Sequence, residues 1–575
     1  MTNSISRASD RASPLVPWIV GAFFALPVLI AKYPPMDDLP LHEASVGLLR
    51  HWGDPHFAPR TLYFLNFGHP NQLFSILVLA CSYVMPIAWA SKTVVAGILW
   101  ALPVAAGRFA DHVEASRWAT LLVAPIGLGW LFFWGLIQNI LGIAVLLALL
   151  PAIDRFAARP TARGVAWMCA AIVLLSFAHQ AMLLVAIAAL ILCCVGAPLR
   201  SRSSLLRAAP IVFCGALVYV AKVSAWKLAG PNSVRTALFT FYPLSHKLTS
   251  LSGVLFGGYE TWVRNAMLVL GVAPLALFAV GRFRGGPSGR TSGQTIGECA
   301  HAWRFELLSL LLIIVYFVAP ESIKSTTLVY HRFLPPAWCI LAVSFAARPG
   351  RAPEASLPRM APVLCAMLPI ASMLIAWPTF ADSNRIYSDL ETLIPRIEIG
   401  SSVLALNLGP QGSFRLWNPV CAMGHVVAER GGRSLFDYTQ SPVSPVAQRP
   451  DKQWTESVGR MELQPYQMRP DWDMTRYRYL LIVTPDPGLA KATEMVLKKQ
   501  ARFIDTKGDW TLFESRLPVV AIDADDAPLP KPHPSSILKL LRVLVKQLTG
   551  SEGLGVKGQP PVPGAVGSAA APGVP

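Results

Sequence analysis

A chain of 575 residues that is 53% hydrophobic and only 14% charged, with a mean hydropathy of +0.46, cannot keep all of its surface in water. An ordinary soluble domain is roughly 25% charged. The net charge of +17 would suit a nucleic-acid partner if its cations shared one face, but they fall in short loops between apolar runs, which excludes that class.

The first apolar run, Val16 to Ile30, follows Arg7 and Arg11 as a signal peptide would. Tyr33, Pro34 and Pro35 then stand where a small-x-small cleavage site would be needed, and further spans follow, so the run reads as a retained first helix. A long polar stretch comes next and defines a first outer loop over 33–71. From Gln72 to Leu150 the apolar segments read as four helices, which would leave the Arg155 loop outside and against the charge rule. One of the four must be re-entrant, split or merged with a neighbour, and Phe133, Trp134, Gly135 and Asn139 mark the irregular place. Gly164 to Gly196 fits a helical hairpin with Ser176 to Gln180 at its outer tip.

Arg155, Arg159 and Arg163 share one short loop, Arg200, Arg202 and Arg207 the next, Arg282, Arg284 and Arg290 a third, and Arg348, Arg351 and Arg359 a fourth. Placing these in the cytoplasm by the positive-inside rule sends Ala208 to Trp226 outward and Trp262 to Val280 back. Phe305 to Pro320 then runs outward, Pro335 to Ala347 back, and Ala361 to Trp377 outward again. Everything after Pro378 is expected on the extracytoplasmic side.

From about Asp382 the composition becomes that of a small α/β module. Tyr387 to Ile397 has helical spacing, Ser402 to Leu408 alternates like a strand, and Tyr477 to Thr484 is a buried-strand pattern followed by a helix over Leu489 to Gln500. Arg502 to Asp505 and Trp510 to Glu514 flank Lys507, Gly508 and Asp509 as a hairpin. No Gly-rich phosphate loop or catalytic-triad spacing is present. Beyond Leu517 the chain turns Pro- and Ala-rich and cannot build a core. Within that tail, Ile537, Leu538, Leu541, Leu544, Val545 and Leu548 form an apolar stripe interleaved with Lys539, Arg542 and Lys546, a pattern that lies on a membrane surface.

The fold class expected is therefore mainly α: a polytopic bundle of about 10–12 spans, at roughly 20 residues each, over residues 1–378. A small extracytoplasmic α/β domain follows over 379–520, and then a disordered tail over 521–575 with an amphipathic helix near 535–549. Of the nine cysteines, Cys81, Cys169, Cys193, Cys194, Cys214 and Cys365 lie in apolar runs and none belongs to a CxxC. They read as buried small hydrophobes, and the α/β module, with Cys421 alone, has no internal disulfide.

The one dense polar constellation follows the first span: Asp37, Asp38, His42 and Glu43 within YPPMDDLPLHEA, with His51, Asp54, His56 and His69 beyond it. Two adjacent carboxylates repel and draw in a proton or a cation. Such a pair can deprotonate a hydroxyl, hold a divalent metal ion, or divide those tasks. It can equally be a solvated loop in which Asp38 caps the helix beginning near Leu41.

This arrangement resembles the GT-C superfamily of membrane glycosyltransferases, which use polyprenyl-phosphate sugars. The shared plan is a cytoplasmic N-terminus, one span, an acidic motif at the start of the first outer loop, further spans and a C-terminal soluble domain. It extends over nearly the whole chain, with Asp37 and Asp38 standing where the family's acidic motif stands. The resemblance implies an inverting transfer in which one of these two acts as base toward an acceptor hydroxyl of a glycan, lipid or protein, and the lipid phosphate leaves. It makes no cofactor certain and leaves a divalent metal ion open, since some members of the superfamily work without one.

His42, Glu43, His179, His331 and Arg332 are the expected substrate-binding residues. Arg332, in VYHRFLPP beside His331, opens a span on the outer side, where a guanidinium can grip the lipid phosphate or simply snorkel to the interface. His179, in SFAHQ, faces the same compartment at a hairpin tip and can be a ligand or a structural hydrogen-bonder. Glu260 and Arg264 flank another outer loop. The rival reading is a membrane transporter or a cell-envelope assembly protein. Transporters show repeats and charges within spans, and here there is no clear repeat and the acids sit beside the membrane. Either reading places the chain in the cell (plasma or inner) membrane as a multi-pass protein.

Overall fold

A computed structural model describes residues 13–519, apart from 197–200, 229–238, 258, 285–300, 324–326, 348–359, 410–417, 436–437, 442, 450–451, 453–460 and 462–464. Arg7, Arg11, Arg200, Arg290, Arg348, Arg351, Arg359 and the whole tail with its helix near 535–549 lie outside the described residues.

The protein is a polytopic helical bundle with a small sheet at its C-terminal end. α1 (Val16–Ile30) comes first and ends at the acidic loop, which contains α2 (Leu39–Arg50) and β1 (Tyr63–Leu65). α3 (Leu73–Ser82) has only 10 residues, so at 1.5 Å per residue it covers about half of a ~30 Å hydrocarbon core. It does not span. α4 (Ile87–His112) does, starting beside the end of α1, where Lys92 Nζ donates to Ala31 O at 2.6 Å.

The return segment, Arg117–Trp134, is apolar and long enough to cross but is broken into 3-10 and α turns around Pro125. Irregular backbone at membrane depth is tolerated only where protein satisfies it. Here Trp338 Nε1 donates to Leu122 O at 2.9 Å. α5 (Ile137–Ala158) follows, so the region holds three crossings rather than four and the Arg155 loop falls on the side opposite the acidic loop. The parity conflict in the sequence disappears because α3 is short.

α6 (Ala162–Ala178) and α7 (Gln180–Gly196) form the expected hairpin, and α8 (Ser201–Leu228), α9 (Thr261–Arg284), α10 (Arg304–Val318), α11 (Leu334–Phe345) and α12 (Ala361–Glu391) complete the bundle. Among the described residues the chain thus traverses the bundle eleven times, counting α1, α4, the broken segment and α5–α12. Five of these segments are long and apolar enough to cross a membrane by length and composition alone. At the end opposite the acidic loop, Asp154 binds His112 Nε2 at 2.8 Å and Arg304 through both oxygens at 2.6 and 2.8 Å. This clasp ties α4, α5 and α10.

α12 runs unbroken past Pro378 to Glu391, so the last span is also the first element of the C-terminal unit. That unit holds a five-stranded sheet in the order β3 (Arg433–Ser434), β2 (Ser402–Asn407), β5 (Tyr479–Val483), β7 (Trp510–Ser515), β6 (Ala501–Lys507). β2 pairs in parallel with both neighbours, and β7 runs antiparallel to β5. Every residue of β5 is buried, as expected of an apolar strand covered on both faces. One face packs on the end of α12 through Ile386, Tyr387 and Leu390, together with α13 (Met423–Arg430). The other is covered by α14 (Pro487–Leu497) and the segment before β5.

Candidate functional site

The acidic pair is fixed by the broken span. Phe133 O and Trp134 O, at the end of the short helix Trp130–Trp134, accept hydrogen bonds from Asp37 N at 3.0 Å and Asp38 N at 3.2 Å. Gly135 ends that helix at φ +91°, a left-handed conformation that costs an L-residue about 1–2 kcal/mol. A Cβ there would also lie 2.5 Å from Asp38 N. Glycine is needed on both counts, and the irregular place marked in the sequence is the seat of the acidic pair.

Asp38 occupies the N-cap position of α2, yet its side chain makes no capping hydrogen bond. The capping role weighed from sequence is therefore not the one its carboxylate performs. Asp37 is buried, at 3% exposure, against the broken span.

The candidate substrate residues divide into two groups. His42, on the first turn of α2, is buried; Gln138 Nε2, a donor from the start of α5, approaches its Nε2 at 2.9 Å. The Tyr438 ring meets it edge-on at 4.3 Å and Phe74 at 5.5 Å. Burial pushes the His42 imidazole down to about 3, so it stays neutral and accepts the Gln138 bond. His179 caps α6 at the hairpin tip and its Nε2 accepts from Arg332 Nη1 at 3.2 Å. Burial, and then the guanidinium beside it, hold His179 well below the ordinary imidazole range. Arg332 also donates to Leu328 O and Thr327 O, and the charge of Asp38 and the phenol of Tyr438 act on it. Arg332 thus bonds to His179 and feels the charge of Asp38, while His42 meets Tyr438, whose phenol also acts on Arg332.

Glu43 and His331 have other direct partners. Glu43 turns to the C-terminal unit, where its Oε2 lies 2.8 Å from His425 Nδ1. His425 is boxed by Tyr33 and Tyr387 at 5.1 and 5.3 Å. His331 is sandwiched between Trp130 at 4.6 Å and Tyr330 at 4.0 Å, with Nδ1 3.4 Å from the buried Glu321. Glu260 binds Trp262, and Arg264 lies over Gly253. Among the described residues no group of three or more His, Cys, Asp or Glu side chains converges to hold a metal ion.

Three residues of this end were missed from sequence. Gln138 had a signal, a lone amide pair with Asn139 inside an apolar run. Tyr438 and His425 had none, because each lies about 400 positions from its partner and only the docking of the C-terminal unit brings it there.

No protein-family model matches the chain, and no curated protein sequence matches it. Among solved structures it is similar to arabinofuranosyltransferase AftD from Mycobacteria, with a TM-score of 0.50 and 14% identity over 94% of this chain and 45% of that one. The chain thus spans less than half the length of that protein. ArnT from Cupriavidus metallidurans, solved bound to undecaprenyl phosphate, aligns with a TM-score of 0.46 and 10% identity over 89% of this chain and 99% of that one. The likeness to that arabinofuranosyltransferase is one of fold.

Proposed function

We propose that the chain is a membrane glycosyltransferase that moves a sugar from a polyprenyl-phosphate donor to a hydroxyl of a glycan, lipid or protein acceptor on the extracytoplasmic face. The observation that carries this reading is the Asp38 charge acting on Arg332 at one end of a GT-C-like bundle, the Asp38 backbone seated on Gly135 and the cation held by His179. A general base and a phosphate-binding cation are the two charges that such a transfer needs.

In the proposed step the acceptor O–H gives its proton to the Asp38 carboxylate as its oxygen bonds to the anomeric carbon. The bond from that carbon to the phosphate oxygen breaks, and the electron pair leaves with the polyprenyl phosphate. Arg332 balances the charge that builds there. A single displacement inverts the anomeric carbon, in keeping with the GT-C resemblance. Asp37, buried beneath, shapes the loop that presents Asp38.

The test compares cell-envelope glycans in cells that have only the wild-type chain or one variant. Asp38→Asn should lower transfer by ~100- to 10,000-fold, the range for removing a general base, while the protein still inserts. Arg332→Gln should weaken use of the donor. Unchanged glycans in Asp37→Asn, Asp38→Asn and Arg332→Gln alike would overturn the reading.

A further inference from the structure

Besides the docking of α13 on α2, a second stretch of the C-terminal unit is tied to the acidic loop. β1 of the loop pairs antiparallel with β4 (Val446–Gln448), Tyr63 opposite Gln448 and Leu65 opposite Val446. Asn66 donates from its backbone to Pro445 O at 2.8 Å and from Nδ2 to Ser444 O at 2.9 Å. Gln72 Nε2 donates to Val443 O at 3.0 Å, and the Ser45 and Ser444 hydroxyls lie 3.2 Å apart. Just upstream, the turn Tyr438–Gln440 is closed by Ser441 N donating to Tyr438 O at 2.9 Å and Gln440 Nε2 to Leu435 O at 3.0 Å. The outcome is a tyrosine ring fixed edge-on against His42, with centroids 4.3 Å apart.

That ring contact does not use the hydroxyl, since His42 takes its hydrogen bond from Gln138. Asp38 and Arg332 both act on the phenol electrostatically. Burial first, and then the Asp38 charge, raise its pKa above the ordinary phenol value, so the group is a protonated donor throughout the physiological range. A neutral donor on a ring fixed against His42, within electrostatic reach of the Arg332 cation, matches a phosphate, which accepts from both.

We propose that Tyr438 contacts substrate, donating a hydrogen bond from its hydroxyl to the phosphate of the lipid-linked donor that Arg332 also grips. The inference rests on the lipid-donor reading above. The phosphate is then held by a cation of the bundle and a phenol of the C-terminal unit, and the site is complete only with that stretch docked. No proton moves from Tyr438; its hydrogen bond strengthens as charge gathers on the departing phosphate.

Full-length protein in nanodiscs, titrated with undecaprenyl phosphate and in parallel with undecaprenol, tests this. Tyr438→Phe keeps the ring against His42 and removes only the hydroxyl. The expected result is roughly 10- to 100-fold weaker binding of undecaprenyl phosphate, the loss for a hydrogen bond to a charged group, with undecaprenol binding unchanged. Equal affinity of wild type and variant for undecaprenyl phosphate overturns the proposal. A loss of the same size for both lipids overturns it too, because it places the phenol in packing alone. If wild type binds both lipids equally, or Arg332→Gln keeps the preference for the phosphate, the lipid-donor reading falls and this inference falls with it.

Discussion

The site depends on buried polar groups kept in one protonation state. His42 shows how this couples to stability. Its ordinary value is 6.5, and burial lowers it to about 3 in the folded chain. Between those values the unfolded chain takes up a proton that the folded chain refuses, so stability falls as the pH drops from about 6.5 toward 3. His42→Gln, which cannot titrate, should flatten that part of the curve of melting temperature against pH in detergent. A wild-type-like slope in the variant would mean that His42 is protonated in the folded protein. Gly135 acts at the same scale by other means. Its φ of +91° and the 2.5 Å approach of Asp38 N make a backbone position, not a side chain, the support of the proposed base.

Among the elements, α3 decides how the chain is threaded. Its 10 residues cannot cross a core that needs about 20, and Tyr83 and Val84 beyond it are strongly exposed, at 67% and 81%. A cysteine at Val84 should react with a membrane-impermeant maleimide from the same side as one at Asp54 in the outer loop, and a cysteine at Arg155 only from the other side. Labelling of positions 54 and 84 from opposite sides would show that α3 spans and would invert everything after it. The broken segment Arg117–Trp134 supplies the crossing that α3 does not, and its irregular end is where the acidic loop is seated.

At the scale of the whole molecule, the bundle and the C-terminal unit share one structure. α12 belongs to both, Tyr33 of the loop lies in the apolar cluster of the sheet, and α2 packs on α13 so closely that a Cβ at Gly424 would lie 2.3 Å from Pro40 O. The Glu43–His425 contact at 2.8 Å is a polar tie in that seam. Glu43→Ala leaves the buried His425 without it, at a cost of about 1–3 kcal/mol. The variant should melt lower and lose the C-terminal unit to limited proteolysis sooner than the bundle. Equal protease resistance in variant and wild type would show that the seam is held by its apolar contacts alone.

The sequence by itself determined the membrane class, the hairpin tip at His179, four strands of the C-terminal sheet with its final hairpin, and the acidic pair as the dense polar point after the first span. Hydrophobic length, alternation of period 2 and charge in short loops are local properties, and each follows from neighbours along the chain. It also marked Gly135, because glycine beside bulky aromatics signals a bend. What it left open were relations across hundreds of residues. Only the tertiary structure decided that Glu43 turns to His425 and His331 to Glu321, while His42 pairs with Gln138 and His179 with Arg332, which the Asp38 charge reaches. The docking of α13 on α2 and of β4 on β1 brings Tyr438 to the same place. Side chains on one short helix point different ways at 100° per residue, and which way meets the site depends on what packs against that helix from the far end of the chain.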